Sequence, residues 1–387
     1  MTSAYPRTDI LLPYKEVMTP SHAGAIARVA ADLYHFSAYS EKLKIFGSPI
    51  SGQPLKEVNF QPLSPRHKWL FGNNKGFLRA YLAYLRAYPG NAPSLVEIHS
   101  RCHLAREMKT ARPDLNVSLY MHNDARDMQG GKTIKERLWL VNNLSAIMFV
   151  SDYLRQRFIT DLPAAELLPN ALEKCTVIAN EVTRTHSACP KKKKQIILAG
   201  RMVPEKGILE ACEAAAQILP AFPDWQLHVV GGTHFHKAAP SEYEKKIMAA
   251  LAPLGAQATQ HGYLEGSRLS QHQADAALAI VPSIWQEPAG LTVMEALAHG
   301  CALLTTDKGG IPETATGRAE IAAIGHLDRN APKDREKIIQ IFAEKLEDLL
   351  SHPEQIHHLQ DKAWHNYPYD AKNMAVNADR YRLCINS

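Results

Sequence analysis

Short apolar runs alternate with segments of helical periodicity along most of this chain. In the first half, apolar runs of strand length occur at 9–12, 43–46, 95–98, 117–121 and 146–150. Apolar residues with helical spacing lie between them, notably at 25–36 and 75–88. Strands that alternate with helices favour a parallel sheet that helices cover on both faces. The pattern therefore predicts an α/β domain.

The second half of the chain repeats this alternation. Segments 196–200 and 276–283 have the composition of buried strands, and helical patterns follow each of them at 208–219 and 291–299. The second of these helices is expected to stop at Gly300. A second α/β domain is therefore predicted.

A polar segment that contains proline, 184–190, precedes the second half and is followed by four consecutive lysines at 191–194. Such segments are typical of domain boundaries. We therefore predict an N-terminal domain over 1–183 and a C-terminal domain over 184–367. The lysine run is interpreted first as part of this linker, with a contact to membrane phosphates as the alternative.

The composition is that of a globular protein. The 387 residues suffice for two domains with separate cores, and 45% are apolar against 21% charged. No apolar run reaches the ~20 residues that a membrane span needs. The chain does not start like a signal peptide and its six cysteines show no CxxC spacing, so we expect a cytoplasmic protein with reduced thiols.

Two carboxylates, Glu287 and Glu295, flank the start of the helix predicted after strand 276–283. The backbone N–H groups of Ala289, Gly290 and Leu291 are expected at the positive end of this helix, where a phosphate is stabilised. Glu295 could accept hydrogen bonds from two ribose hydroxyls, and Glu287 from hydroxyls of a second sugar. The pattern predicts a nucleotide-sugar site, although both carboxylates could simply be solvated near a helix start.

Two cations follow the other strand of this half directly. Arg201 and Lys206 come just after 196–200 and just before the helix predicted at 208–219. A planar guanidinium and a point-charge ammonium suit the two phosphates of a diphosphate. A solvated pair of loop cations is the alternative.

These segments resemble the donor-binding half of retaining glycosyltransferases of family 4. The resemblance rests on 200–207, 287–295, 227–232, 261–264 and 309–313. It implies the glycosyltransferase B architecture, in which two Rossmann-like domains face one another across a cleft and a last helix, here 368–387, crosses back to the N-terminal domain. Within this family the chain is most similar to bacterial enzymes that add hexoses or N-acetylhexosamines to the lipopolysaccharide core, on the basis of 121–124, 207–209 and 233–246.

The resemblance also implies residues in the N-terminal domain. His122 is expected beneath the transferred sugar, where a neutral imidazole can bond to a hydroxyl, and a buried structural histidine is the alternative. Asn123 and Asp124 are expected near the acceptor. Gly24 matches the small-residue loop that passes near the donor phosphate, although Ala23 stands where many relatives have a second glycine. A simple helix-start residue is the alternative for Gly24.

We expect catalysis without a metal ion or other cofactor. The chain contains no Asp-any-Asp triplet, the arrangement with which many other glycosyltransferases hold a cation on the diphosphate. Arg201, Lys206 and the helix N-terminus could neutralise the same charge. His234 and His236 have a spacing that could suit a metal, but no third ligand is evident beside them.

The sequence therefore predicts a retaining transferase that moves a hexose or N-acetylhexosamine from a nucleotide diphosphate sugar, with uridine preferred, to a lipopolysaccharide-core or related glycan. A front-face reaction is favoured, with Glu287 and His122 as positioning groups and Arg201 and Lys206 on the leaving diphosphate. A sugar-nucleotide epimerase and a non-catalytic carbohydrate-binding subunit are the alternatives. Peripheral contact with the inner membrane is a further possibility, which the modest net charge of +5 suits, and no nucleic-acid partner is expected.

Overall fold

The structure is a computed structural model that describes residues 5, 7–20, 22–233, 239–264 and 266–385. The pair His234 and His236 lies outside these ranges. The chain divides into two compact units, one formed by Met1–Glu181 with Asp370–Ser387 and the other by Val182–Tyr369. We call them the N-terminal and C-terminal units.

The N-terminal unit is built on a parallel sheet. Its strands are β1 (Thr8–Leu11), β2 (Leu43–Gly47), β3 (Phe60–Pro62), β4 (Leu95–His99), β5 (Asn116–Met121), β6 (Ala146–Phe149) and β7 (Cys175–Val177). They are ordered β3-β2-β1-β4-β5-β6-β7, and every neighbouring pair is parallel. The strand order reverses between β1 and β4. This is the topology of Rossmann-like domains, which bind ligands at the carboxyl ends of the strands.

Helices connect these strands. They are α1 (Ala25–His35), α2 (Lys68–Ala87), α3 (Cys102–Ala111), α4 (Ile134–Asn143) and α5 (Asp152–Ile159). α2 contains a non-helical residue at Gly72, so its regular part begins close to the predicted start at 75. The strand and helix predictions for this half are confirmed to within a few residues, except that α2 starts earlier.

The C-terminal unit repeats the architecture. Its strands are β8 (Lys193–Ala199), β9 (Gln226–Val230), β10 (Ala258–Gly262), β11 (Ala276–Val281), β12 (Ala302–Thr306) and β13 (Glu320–Ala322). Its helices are α6 (Ile208–Ile218), α7 (Glu242–Leu251), α8 (Gly266–Asp275), α9 (Leu291–Ala298), α10 (Ile311–Ala315), α11 (Pro332–Ser351) and α12 (Pro353–His365). The strands are parallel, in the order β10-β9-β8-β11-β12-β13.

Apolar layers cover both faces of this second sheet. Ile196 and Leu198 of β8 belong to one buried cluster, while Ile197 between them belongs to another. Successive side chains of a strand point to opposite faces, so a continuous apolar run is what a sheet covered on both sides requires. The prediction of two Rossmann-like domains is therefore confirmed. No helix among the described residues is both long and apolar enough to cross a membrane.

The last helix, α13 (Ala371–Ile385), belongs to the N-terminal unit. Arg382 is fully buried and donates to both carboxylate oxygens of Glu97 in β4, at 2.8 and 3.0 Å. One turn earlier, Asp379 accepts hydrogen bonds from the hydroxyls of Tyr5 and Ser37 at 2.8 and 2.9 Å. Two carboxylates and one guanidinium thus fix α13 to the sheet and to the end of α1.

We expect Arg382→Ala to lower the free energy of unfolding of the N-terminal unit by about 3–5 kcal/mol, because it leaves the Glu97 carboxylate buried without its cation. Arg380→Ala removes an exposed guanidinium from the same helix and should change the value by less than about 0.5 kcal/mol. Urea titration of the full-length variants measures both. Equal stability of the two variants would contradict the anchoring role of Arg382.

Candidate active site

In the C-terminal unit, an ion pair joins two loops at the carboxyl ends of neighbouring strands. The Lys206 ammonium contacts Oε1 of Glu287, and the Ser283 hydroxyl donates to the same oxygen. The Glu287 side chain is only 8% exposed and that of Lys206 21%. The two residues are 81 positions apart, and they meet because β8 and β11 are parallel neighbours whose ends share one edge of the sheet.

The loop that carries Lys206 packs tightly against the loop that follows β11. Gly207, the residue after Lys206, has a φ of 65°, and a Cβ atom there would lie 2.0 Å from the carbonyl oxygen of Pro282. The N–H of Ile284 also donates to the carbonyl of Glu205 at 3.1 Å. Gly207 is therefore needed both for its left-handed backbone and for its lack of a side chain.

A second glycine, Gly309 in the loop after β12, packs against the backbone of Glu287. Gly309 has a φ of 60°, and a Cβ atom there would lie 2.2 Å from the carbonyl oxygen of Glu287. The N–H of Gly310 donates to that same carbonyl at 2.7 Å, and the N–H of Gly309 donates to Oε1 of Gln286 at 2.9 Å. The backbone of Glu287 is thus held by its neighbours while its side chain holds Lys206.

The predicted helix start after Glu287 is confirmed. α9 begins at Leu291 with Gly290 as its N-terminal cap residue, and Ala289 is buried beside it. The first N–H groups of a helix have no acceptor within the helix, and they carry its positive end. Glu295, one turn into α9, is half-buried. Residues 289–291 thus lie at a helix N-terminus, and the binding of a ribose at Glu295 stays a prediction.

Of the four residues predicted to act in catalysis, the structure brings Lys206 and Glu287 into direct contact. Arg201 follows β8 and is exposed to solvent. His122 belongs to the N-terminal unit, where it follows β5 and is buried.

His122 ends a buried chain of hydrogen bonds that starts at α13. Arg382 holds Glu97, Oε1 of Glu97 lies 3.0 Å from Nε2 of His99, and Nδ1 of His99 lies 3.0 Å from Nε2 of His122. Burial alone would raise the pKa of Glu97, but the charge of Arg382 and the hydrogen bonds lower it to about 2. Glu97 is therefore an ionised acceptor.

This series of hydrogen bonds determines which nitrogen of His122 is available to a ligand. The carboxylate accepts, so His99 donates through Nε2 and accepts through Nδ1. His122 then donates through Nε2, and its Nδ1 has the free lone pair. Burial and the neighbouring His99 lower the pKa of His122 well below its ordinary value, so the ring stays neutral near pH 7.

Ser100, the residue that follows β4, supports the same histidine. Its hydroxyl accepts the backbone N–H of His122 at 2.9 Å, and the residue is fully buried with a φ of 46°. A left-handed backbone at a buried non-glycine residue is strained and is typical of functional sites. The sequence reasoning missed Glu97, His99 and Ser100. The available signal was two ionisable residues at alternate positions of an otherwise apolar strand.

The other predicted residues of the N-terminal unit have protein partners nearby. Gly24 is the cap residue of α1, but Oε2 of Glu16 already accepts the N–H of Ala27 in the first turn at 3.3 Å. A phosphate at this helix start would therefore meet a carboxylate. Asp124 accepts from the N–H of Arg126 at 2.9 Å and from Nε of Arg157 at 2.7 Å. It has a structural role here, next to the half-buried Asn123.

Comparisons with known proteins find similarity both in sequence and in fold. Residues 180–364 match the family model described as "Glycosyl transferases group 1". The lipopolysaccharide 1,2-N-acetylglucosaminetransferase of Salmonella typhimurium is 28% identical over 225 residues, which are 57% of this chain and 56% of that relative. The match thus spans little more than half of the relative's length.

Two solved structures share the fold over nearly the whole chain. HepE from Anabaena, in complex with UDP and glucose, aligns with a TM-score of 0.71 at 14% identity over 96% of this chain and 98% of that one. WaaG, a glycosyltransferase involved in lipopolysaccharide biosynthesis, gives a TM-score of 0.67 at 15% identity over 96% and 98%. These likenesses establish the glycosyltransferase B fold. The family match, by contrast, lies almost entirely within the C-terminal unit.

We expect Gly309→Ala to impair both folding and activity, because its Cβ would overlap the Glu287 backbone. Gly317→Ala is the matched control, since Gly317 also has a positive φ, 76°, but nothing lies within 4 Å of the added Cβ. The control should lose only the ~1–2 kcal/mol of a left-handed alanine. Thermal unfolding and glycosyl transfer measure the difference. Equal loss in both variants would show that the Glu287 loop does not depend on this contact.

Proposed function

We propose that this protein is a retaining glycosyltransferase, in the manner of family 4, that works without a metal ion. It transfers a hexose or N-acetylhexosamine from a UDP-sugar to a lipopolysaccharide-core or related surface glycan. The observation that carries the proposal is the contact between Lys206 and the buried Glu287 at the ends of β8 and β11, inside the segment that matches the glycosyltransferase family model.

The donor assignment rests on the chemistry of the C-terminal unit. The diphosphate binds at the N–H groups of residues 289–291, with Lys206 and the exposed Arg201 as its cations. The ribose binds at Glu295 through its two hydroxyls. Uridine is supported by the complex of the Anabaena relative of this fold with UDP and glucose.

The ion pair indicates how the site responds to the donor. Without a ligand, the charges of Lys206 and Glu287 compensate each other. A diphosphate competes for the ammonium, and Glu287 then keeps the Ser283 hydroxyl and gains the sugar hydroxyls as donors. Binding of the leaving group and positioning of the sugar are therefore coupled through a single exchange of partners.

The reaction proceeds on one face of the sugar. The bond between C1 and the phosphate oxygen breaks, the acceptor oxygen bonds to C1 on the same face, and the acceptor proton passes to the departing phosphate. Lys206 and Arg201 stabilise the charge that grows on the diphosphate, so no metal ion is required. Glu287 acts by positioning. His122 offers a neutral Nδ1 acceptor for a hydroxyl, and its role at the sugar stays a prediction.

The acceptor assignment is supported by the Salmonella relative, whose name specifies lipopolysaccharide.

The lysine run predicted as a linker or membrane contact lies partly within β8, and three of its members bind protein groups. Lys192 donates to the carbonyls of Ala274 and His299 at 3.0 and 2.7 Å, while Lys193 pairs with Asp275 and Lys194 with Asp224. This pairing weakens the case for a membrane contact there. A peripheral inner-membrane contact and a cytoplasmic location stay predictions.

The test is a transfer assay on truncated lipopolysaccharide with UDP-glucose, UDP-galactose, UDP-N-acetylglucosamine and GDP-mannose. We expect one UDP-sugar to release UDP and to add one sugar to the acceptor, with the anomeric configuration of the donor in the product and full turnover in EDTA. An epimerised donor sugar without transfer would indicate an epimerase, and donor binding without turnover a binding subunit. Transfer from GDP-mannose alone would refute the donor choice. Loss in EDTA, restored by Mg²⁺ or Mn²⁺, would refute metal independence.

Substitutions of the two glutamates should have different effects, one on kcat and the other on the KM for the donor. Glu287→Gln should lower kcat about 100-fold with little change in KM, because positioning matters most in the transition state. Glu295→Ala should raise the donor KM roughly tenfold or more and leave kcat nearly unchanged, since it loses charged hydrogen bonds present throughout. Glu347→Gln, exposed on α11, is the control. Normal kcat in Glu287→Gln with the true acceptor would place the active site elsewhere.

A further inference from the structure

Three histidines converge at one edge of the C-terminal sheet, and the proposed reaction uses none of them. His228 lies in β9, His261 in the edge strand β10, and His272 in α8. One ring nitrogen from each lies within 4.8 Å of the other two, and all three residues are half-buried.

The chain brings these rings together by local structure. β9 and β10 are parallel neighbours, and His261 is an extra residue in their register, between the pairs Gln260–Val229 and Gly262–Val230. Such a bulge turns a side chain out of the regular alternation and is common beside functional sites. α8 starts soon after β10 and returns across the sheet, which brings the centre of the His272 ring to 4.5 Å from that of His261.

The nitrogen atoms are close to the spacing that a metal ion requires. Nδ1 of His228 lies 2.9 Å from Nε2 of His261, at hydrogen-bond distance, and a metal ion would take the place of that hydrogen bond. The other ring nitrogen of His228, Nε2, is buried without a hydrogen-bond partner within the described part of the chain. Zinc binds imidazole nitrogen at 2.0–2.1 Å, which separates tetrahedral ligands by about 3.3 Å. The closest pair therefore needs to open by a few tenths of an ångström, and the ligand nitrogen of His272, which lies within 4.8 Å of the other two, needs to move toward them.

The charge state of the cluster suits a cation. Burial and the other two histidines lower the pKa of His228 to about 4, and burial and His272 lower that of His261. Both shifts favour the neutral imidazole of His228 and His261, which is the form that binds metals. The nearby carboxylate of Asp275 accepts hydrogen bonds from Lys193 at 2.8 Å and from Gln271 at 3.0 Å. Because both of its oxygens already have partners, we do not count Asp275 among the metal ligands.

We propose that His228, His261 and His272 bind one divalent transition-metal ion of the zinc class, with water in the fourth position. Imidazole ligands suit Zn²⁺, Cu²⁺ and Ni²⁺, whereas Mg²⁺ and Ca²⁺ require oxygen ligands. β8 separates these strands from β11, whose loop carries Glu287, so the ion serves the fold and not the diphosphate. It links α8 to the edge strand, and it stabilises the folded C-terminal unit by binding.

The experiment titrates the untagged, metal-free, full-length protein with Zn²⁺ against a chromophoric chelator. We expect one ion per chain for the wild type and at least about tenfold weaker binding for His272→Ala. The control is the double variant His357→Ala/His358→Ala, which removes two exposed histidines from α12 and should bind like the wild type. Saturating Zn²⁺ should raise the Tm of the wild type and of the control but not that of His272→Ala.

His261→Ala provides a second removal if His272→Ala proves unfolded by circular dichroism. Equal zinc affinity in the wild type and in a folded variant that lacks either ligand would overturn the proposal. Loss of binding in the α12 control alone would also overturn it, because the ion would then occupy surface histidines. Glycosyl transfer by the ligand variants should persist in EDTA, which distinguishes this ion from a metal ion on the donor.

Discussion

The candidate site of the C-terminal unit depends on the buried carboxylate of Glu287 and the ammonium that compensates it. An ionised group that is 8% exposed is stable only with partners, and Lys206 and Ser283 supply them. This requirement explains the tight packing nearby. Gly207 and Gly309 let the flanking loops approach to distances at which any side chain would collide with backbone, so the pair is held in place before a donor arrives.

Much of this unit could be predicted from the sequence because its chemistry lies at junctions that local patterns mark. The apolar runs located β8 and β11, and the residues after each run supplied Lys206 and Glu287. The contact between them could not be predicted, because it depends on which strands are neighbours. The short strands β3, β7 and β13 were also missed, since three residues that are partly exposed give no clear periodicity.

The N-terminal unit was harder to predict in its site than in its fold. His122 was expected from a resemblance, but its environment comes from contacts over long sequence distances: Arg382 and Glu97 are 285 residues apart. Those buried hydrogen bonds orient His99 and, through it, the lone pair of His122.

The lysine run at 191–194 is the opposite case. It is conspicuous in the sequence, but in the folded protein three of its lysines pair with carbonyls and carboxylates beside β8.

A crystal structure of the protein with UDP would test this site most directly. We expect the diphosphate to lie at the N–H groups of residues 289–291 with Lys206 Nζ in hydrogen-bond distance, and the ribose hydroxyls to reach Glu295. We also expect Glu287 to keep Ser283 after Lys206 has turned to the phosphate. UDP bound elsewhere, with the contact between Lys206 and Glu287 unchanged, would contradict the assignment of this site.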